Sequence, residues 1–219
     1  MRLARVDARR AYDLMWEKIT TLELPPGCAI SEQALAEELG LGVAPIREAL
    51  NWLAHENLVD VTERHGIYVA DVHVDDLQQL SEIRLSLESL SARLAAERVE
   101  PDDLVVLHTL RKEQSEVTAE EIRHLFDLDH RFHQAVAAAA HNQYLAQTLE
   151  RFFGLSRRLW YLALPHLELL PSSVEKHLDL VGAIEKGDAA QAEDIMCRHI
   201  REFYDEVRDI LVAHHEGAV

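Results

Sequence analysis

Apolar residues recur at Tyr12, Met15, Trp16, Ile19 and Leu22, a spacing that predicts an amphipathic helix stopped by "LPPG" at Leu24 to Gly27. Ser31 is placed to cap a second helix, Glu32 to Leu39, and "GLG" at Gly40 to Gly42 turns the chain into a third that runs to about Glu56. The run "LVDVTERHGIYVADV" then alternates apolar and polar residues on either side of "RHG", which predicts a β-hairpin with Gly66 at its tip. Helix, helix, turn, helix and hairpin in succession make the layout of a winged helix-turn-helix, assigned to residues 1–72.

Beyond Val72 the alternation ceases and the apolar period becomes helical to the end of the chain. Leu77, Leu80, Arg84, Leu87, Ser91 and Leu94 share one stripe of a helix over 75–98. Pro101 opens the next helix, and three S/T/D-x-x-E/Q phrases, at Thr118, Ser172 and Asp188, mark later starts. Helices are expected near 101–115, 119–140, 142–163, 173–186 and 189–214, so residues 73–219 form an all-α antiparallel bundle of six. The fold class expected is mainly α, with an N-terminal winged helix-turn-helix and a C-terminal helical bundle.

Composition narrows the class. Apolar residues make up 48% and charged residues 28%, with only 8 Gly and 6 Pro, which argues against disorder or long linkers. No run approaches the length of a membrane span and the first residues lack a signal-peptide core, so a cytoplasmic protein without a membrane partner is expected. Cys28 and Cys197 fit neither a disulfide framework nor a zinc CxxC pattern and are read as free thiols. The formal charge of -17 disfavours nucleic acid, and residues 1–72, with 7 Lys and Arg against 12 Asp and Glu, relieve this only in part. Four of those seven cations, Arg2, Arg5, Arg9 and Arg10, fall in the first ten residues, where an arm could follow phosphates.

The string "LPPGCAISEQALAEELGLGVAPIREALNWLAHENLV" followed by "RHGIYVADV" resembles the GntR family of bacterial transcription regulators. Pro-X-Arg-Glu-Ala-Leu after Leu-Ala-X-X-Leu-Gly carries the resemblance, which implies binding to a double-stranded DNA operator. Ile46, Ala49, Leu50 and Leu53 lie on the core face of the third helix, leaving Arg47 and Asn51 outward. Arg47, Asn51, Gln33 and the wing residues Arg64 and His65 are the candidate DNA contacts. Gly42, Val43 and Ala44 stand where the family usually has Ser, Arg and Thr. The expected binding is therefore weak and steeply salt-dependent.

Of the 13 His, 10 lie from His108 onward. "LFDLDHRFHQAV" puts Asp129 and His133 four apart, on a helix face shared with Leu125, Phe132 and Val136. His177 sits between Val174 and Val181, and His199 between Ile195 and Phe203, each on an apolar stripe. Three imidazoles and a carboxylate on inward faces would bury too many polar groups unless they share a partner. One divalent cation satisfies all four; zinc is favoured, with nickel and manganese as alternatives.

This second half resembles the FCD-type effector domain of the FadR branch of the GntR family, through Asp-X3-His, a His after "EK", and a further His in "HLDLVGAIEKGDAAQAEDIMCRHI". The resemblance implies that Asp129, His133, His177 and His199 form a metal centre in an effector pocket and that the protein is a homodimer. Arg84, on the inward stripe of "EIRLSLESLSARLAAE", has two readings, an i,i+4 pair with Glu88 or a fork onto an effector carboxylate. Asn142 matches a frequent Asn of the family and is a second effector candidate.

The expected function is a DNA-binding regulator, a repressor, controlled by a small carboxylate effector bound at the metal site, and not an enzyme. Two alternatives accompany it. Three His and an Asp around zinc could activate water in a hydrolase-like enzyme, although no HExxH phrase is present. A degenerate regulator could keep the helical domain while its winged helix contributes little to DNA affinity.

Overall fold

Helix α1 (Arg2–Thr20) begins well before the bulky apolar stripe that announces it. The N-terminal cations therefore belong to a helix rather than to an extended arm. Ala8 and Ala11 are buried together with Met15 and Ile19, so the inward face continues upstream through small residues that a search for bulky ones passes over. Arginine, alanine and leucine all favour the helix.

Helices α2 (Glu32–Leu39) and α3 (Val43–His55) form as their end signals indicate. The Ser31 hydroxyl accepts from the Ala34 amide at 3.3 Å, and Gly40, with φ of 64°, closes α2 in the left-handed conformation. Gly42 caps α3 without a side-chain bond. Ile46, Ala49, Leu50 and Leu53 are buried, joining Met15, Ile19, Leu58 and Val69 in one core on which α1 packs against α3.

Strands β1 (Ala29–Ile30), β2 (Val59–Thr62) and β3 (Gly66–Val69) form one antiparallel sheet in the order β1-β3-β2. The hairpin is the expected one, with Val61 opposite Ile67. Strand β1 escapes the sequence reading because two residues show no alternation; it exists because β3 offers it an edge, pairing Ala29 with Tyr68.

Among the described residues six helices follow: α4 (Val74–Arg98), α5 (Pro101–Glu116), α6 (Ile122–Ala139), α7 (Gln143–Ala163), α8 (Leu170–Glu185) and α9 (Ala189–Glu216). The computed structural model describes residues 2–62, 66–117, 122–163 and 170–216. Of the three expected helix starts, Asp188 is seen to act, its Oδ1 accepting from the Gln191 amide at 3.0 Å just after Gly187, with φ of 70°, ends the preceding turn. Thr118 and Glu121 lie outside the described residues. Helix α8 starts earlier than expected, at Leu170, and the side chains of Ser172 and Glu175 also lie outside.

The chain divides into two compact units, Met1–His73 with Gly154–Leu162, and Val74–Phe153 with Ala163–Val219. In the first, Arg157 is almost fully buried and places both ends of its guanidinium on the Glu17 carboxylate, at 2.7 and 3.0 Å, over the Trp16 ring. Arg158 donates to the carbonyls of Ala70 and Asp71. In the second, α4 packs along α9, and Phe126, Leu128, Phe132, Leu180, Ile184, Met196 and Val207 are among the residues that fill its interior.

Two helical glycines give opposite expectations. A Cβ at Gly154 would meet Trp16 Nε1 at 2.8 Å, whereas one at Gly182 meets nothing within 4 Å. Gly182→Ala should stabilise by about 0.5–1 kcal/mol through backbone entropy alone. Gly154→Ala should lose about 1–3 kcal/mol to overpacking, outweighing the same helical gain. Urea unfolding of both variants checks the pair; a Gly154→Ala protein at least as stable as wild type would contradict the packing.

Candidate functional site

The polar cluster is built from three helices of the second unit. Helix α6 carries Asp129 and His133 one turn apart, α8 carries His177 and α9 carries His199. The apolar neighbours that made these faces look inward, Phe132, Val136, Val181 and Ile195, are buried. The three imidazoles go in with them, at 7% exposure or less, because their helices have no other way to bury those stripes.

Their ring nitrogens converge. His133 Nε2 and His177 Nε2 lie 3.2 and 3.3 Å from His199 Nε2, and Asp129 reaches His133 Nε2 at 3.8 Å and His177 Nε2 at 3.5 Å. One donor atom from each of the four residues falls within 4.8 Å of the others. Metal–nitrogen and metal–oxygen bonds of about 2.0–2.2 Å in a tetrahedral site put neighbouring donors roughly 3.3–3.6 Å apart. The separations of 3.2–3.8 Å therefore suit a divalent cation, and the widest, up to 4.8 Å, would close by about 1 Å around it. All four residues nominated from the sequence are brought together.

Two residues complete the surround. Glu88, one turn after Arg84 on α4, receives the Arg84 guanidinium, Nε to Oε1 at 2.6 Å, on one oxygen and His133 Nδ1 on the other. Gln114 on α5 accepts from His177 Nδ1 through Oε1 at 3.0 Å. Glu88 was visible only as a helical partner for Arg84; Gln114 sits in the charged run "RKEQSE", where nothing marks it as inward. Both are buried. The His199 Nδ1 atom is buried and has no hydrogen-bond partner among the described residues.

The electrostatics follow from burial and neighbours. Burial, reinforced by adjacent imidazoles, pushes His177 and His199 well below the ordinary histidine value, which keeps them neutral and able to ligate. Burial acts the same way on His133, but the Glu88 and Asp129 carboxylates outweigh it and raise that ring. Burial raises Asp129. Burial also opposes charge on Glu88, yet Arg84 and then His133 hold it down at about 2.

Of the other nominated residues, Arg84 is linked to the cluster through Glu88. Arg84 is 1% exposed, paired with Glu88, with its Nη1 3.4 Å from the Tyr204 hydroxyl and its guanidinium over the Phe153 ring. Asn142 is half-buried and caps α7, its Oδ1 accepting from the Leu145 amide at 3.2 Å. Gln33 and Asn51 are exposed on α2 and α3. Arg47 is exposed too, but it is paired with Glu32 of α2 through two bonds of 2.8 Å, from Nε and Nη2. The wing residues Arg64 and His65 lie outside the described residues. No helix among the described residues is long and apolar enough to cross a membrane.

Comparison with known proteins agrees with this architecture. Residues 79–202 match the FCD domain model and residues 7–69 match that of bacterial regulatory proteins, gntR family. The HTH-type transcriptional repressor GlaR of Escherichia coli (strain K12) is 32% identical over 76% of this chain and 80% of its own length. The HTH-type transcriptional repressor RspR of the same strain is 26% identical over 92% of this chain and 89% of its own. Among solved structures, E. coli McbR/YncC superimposes with a TM-score of 0.79 at 20% identity, over 93% of this chain and 97% of its own, which shows the shared fold. These matches are to transcription regulators, and the hydrolase alternative is set aside.

The buried neutral imidazoles predict an acid sensitivity. His177 and His199 take up protons more readily unfolded, so their contribution to stability is present above the ordinary histidine value and declines as pH falls below it. Metal-free protein should lose more stability from pH 7.5 to 5.5 than a His199→Gln variant, measured by chemical denaturation at each pH. An equal loss in both would contradict the assignment.

Proposed function

Because this chain belongs to the gntR family of bacterial regulatory proteins, carries an FCD domain and is a DNA-binding transcription regulator, we propose that it is a repressor controlled by a small carboxylate effector at a divalent-metal centre. The observation that carries the reading is the convergence of buried Asp129, His133, His177 and His199 donor atoms within 4.8 Å of one another. Zinc suits three imidazoles and one carboxylate, and nickel or manganese accepts the same set. Such a cation, expanding beyond the four protein donors to five or six coordination, would accept a carboxylate as a further ligand.

Arg84 is the candidate for forking onto the effector carboxylate whose other oxygen would ligate the metal, in competition with Glu88, which already engages it. Asn142, capping α7, is the second candidate. A homodimer would present two winged helices to a two-fold operator, and effector binding would change operator affinity through a coupling free energy of about 1–3 kcal/mol.

On the DNA side the proposed contacts are Arg47, Gln33 and Asn51, with Arg64 and His65 from the wing. Glu32 engages Arg47 through Nε and Nη2, and a guanidinium so held still has Nη1 and the second Nη2 hydrogen to offer a base or a phosphate as an end-on pair. The exposed Val43 and Ala44 supply no polar group, which supports weak, salt-sensitive binding.

Two measurements test the reading. Protein purified without a nickel column should carry close to one divalent ion per chain, and Asp129→Ala and His177→Ala should lose it; about 0.2 ion or less in wild type would defeat the metal assignment. In polarisation titrations against genomic fragments at low salt, Arg47→Ala should weaken binding by about 10-fold or more, the scale of one lost bidentate contact. Equal binding by wild type and variant would favour a regulator whose winged helix contributes little to affinity.

A further inference from the structure

We propose that Gln114 is a positioning residue of the metal centre, fixing both the tautomer and the ring orientation of His177 from outside the ligand set, as Glu88 does for His133. The inference rests on the assignment of a divalent cation to Asp129, His133, His177 and His199.

A neutral imidazole carries one ring proton, and it ligates through Nε2 only when that proton sits on Nδ1. At His177, Nδ1 lies 3.0 Å from Gln114 Oε1, while Nε2 lies 3.3 Å from His199 Nε2 and 3.5 Å from Asp129 Oδ1. A carbonyl oxygen accepts and cannot donate, so Nδ1 must hold the proton. The lone pair of Nε2 is then left for the cluster.

Orientation is settled by two contacts acting together. The Phe132 ring stacks on His177 with centroids 4.1 Å apart and planes 18° from parallel, which sets the plane of the imidazole. Within that plane a half-turn about the ring axis would replace Nε2 by carbon at the cluster. From outside the ligand set, the bond to Gln114 among the described residues favours the state in which Nε2 faces the cluster. Both side chains are within 2% of full burial, so water does not take the place of the amide.

The surrounds of the three rings are graded. His133 has the Glu88 carboxylate, His177 has a neutral amide, and His199 Nδ1 has no partner among the described residues. The Gln114 amide nitrogen is itself buried without a partner among them. Its carbonyl end therefore serves His177 while its nitrogen end gains nothing. Hydrogen-bond partners of ligating imidazoles fix ring and tautomer and raise ligand basicity, which is the role the geometry gives to this amide.

The test compares wild type with Gln114→Met, which keeps length and removes the acceptor, and Gln114→Glu, whose carboxylate accepts the same proton. Nitrogen-15 NMR of metal-free protein should find His177 as the Nδ1–H tautomer in wild type and in Gln114→Glu, and a mixture in Gln114→Met. Competition with a chromophoric chelator should show zinc affinity reduced about 10- to 100-fold in Gln114→Met. Gln114→Glu should stay within a few-fold of wild type.

An Nε2–H tautomer in wild type, an unchanged affinity in Gln114→Met, or a Gln114→Glu variant as weak as Gln114→Met would each overturn the inference. Wild type that takes up no zinc would defeat the metal assignment and this inference with it. Zinc uptake by wild type and an unaffected Gln114→Met would defeat this inference alone. Should Gln114→Met fail to fold, as judged by circular dichroism, the wild-type tautomer and the Gln114→Glu affinity still decide.

Discussion

Three buried imidazoles, two of them held neutral, and a carboxylate enclosed by apolar helices constrain the second unit more than any other interaction. Each of α6, α8 and α9 must turn its apolar stripe inward to bury Phe132, Val181 or Ile195, and each brings a polar side chain with it. Burying these groups singly would cost several kcal/mol apiece without compensation. Gathered so that their donor atoms lie within 4.8 Å, they become one site that one cation can satisfy. The packing and the chemistry are thus consequences of the same helical periodicity.

Charge around that site is arranged in series. Arg84 neutralises Glu88, Glu88 receives His133, and His133 faces His199 and Asp129. This chain explains why a fully buried glutamate remains ionised, held at about 2, while Asp129, farther from the guanidinium, is pushed the other way by burial. Arg84 therefore has a structural task in addition to the effector-binding task proposed for it. An effector carboxylate would have to compete with an acid that is already in place.

The first unit faces a different electrostatic problem. Its reading helix presents Val43, Ala44, Glu48 and Asn51 beside Arg47, and the neighbouring helix answers Arg47 with Glu32. The weak DNA binding proposed for that surface is in keeping with the acidic balance of the chain. The pair also restrains Arg47, which narrows the geometry of the DNA contact proposed for it.

Periodicity and end signals determined most of the architecture. The stripes of α4 to α9, the Ser31 and Asp188 caps, the hairpin and the inward faces of Asp129, His133, His177 and His199 follow from local spacing, because helices and hairpins are decided by contacts a few residues apart. The string around Pro45 and Arg47 likewise identified the family on its own. Tertiary structure decided what depends on partners distant in sequence. Strand β1 exists only because β3 lends it an edge, and α1 continues upstream only because Ala8 and Ala11 find a surface to bury against. Gln114 becomes a partner of His177, and Glu32 of Arg47, across 63 and 15 positions. Such pairings leave no mark on local composition, since a glutamine or a glutamate reads as a solvated helix residue until a neighbour from another helix is placed beside it.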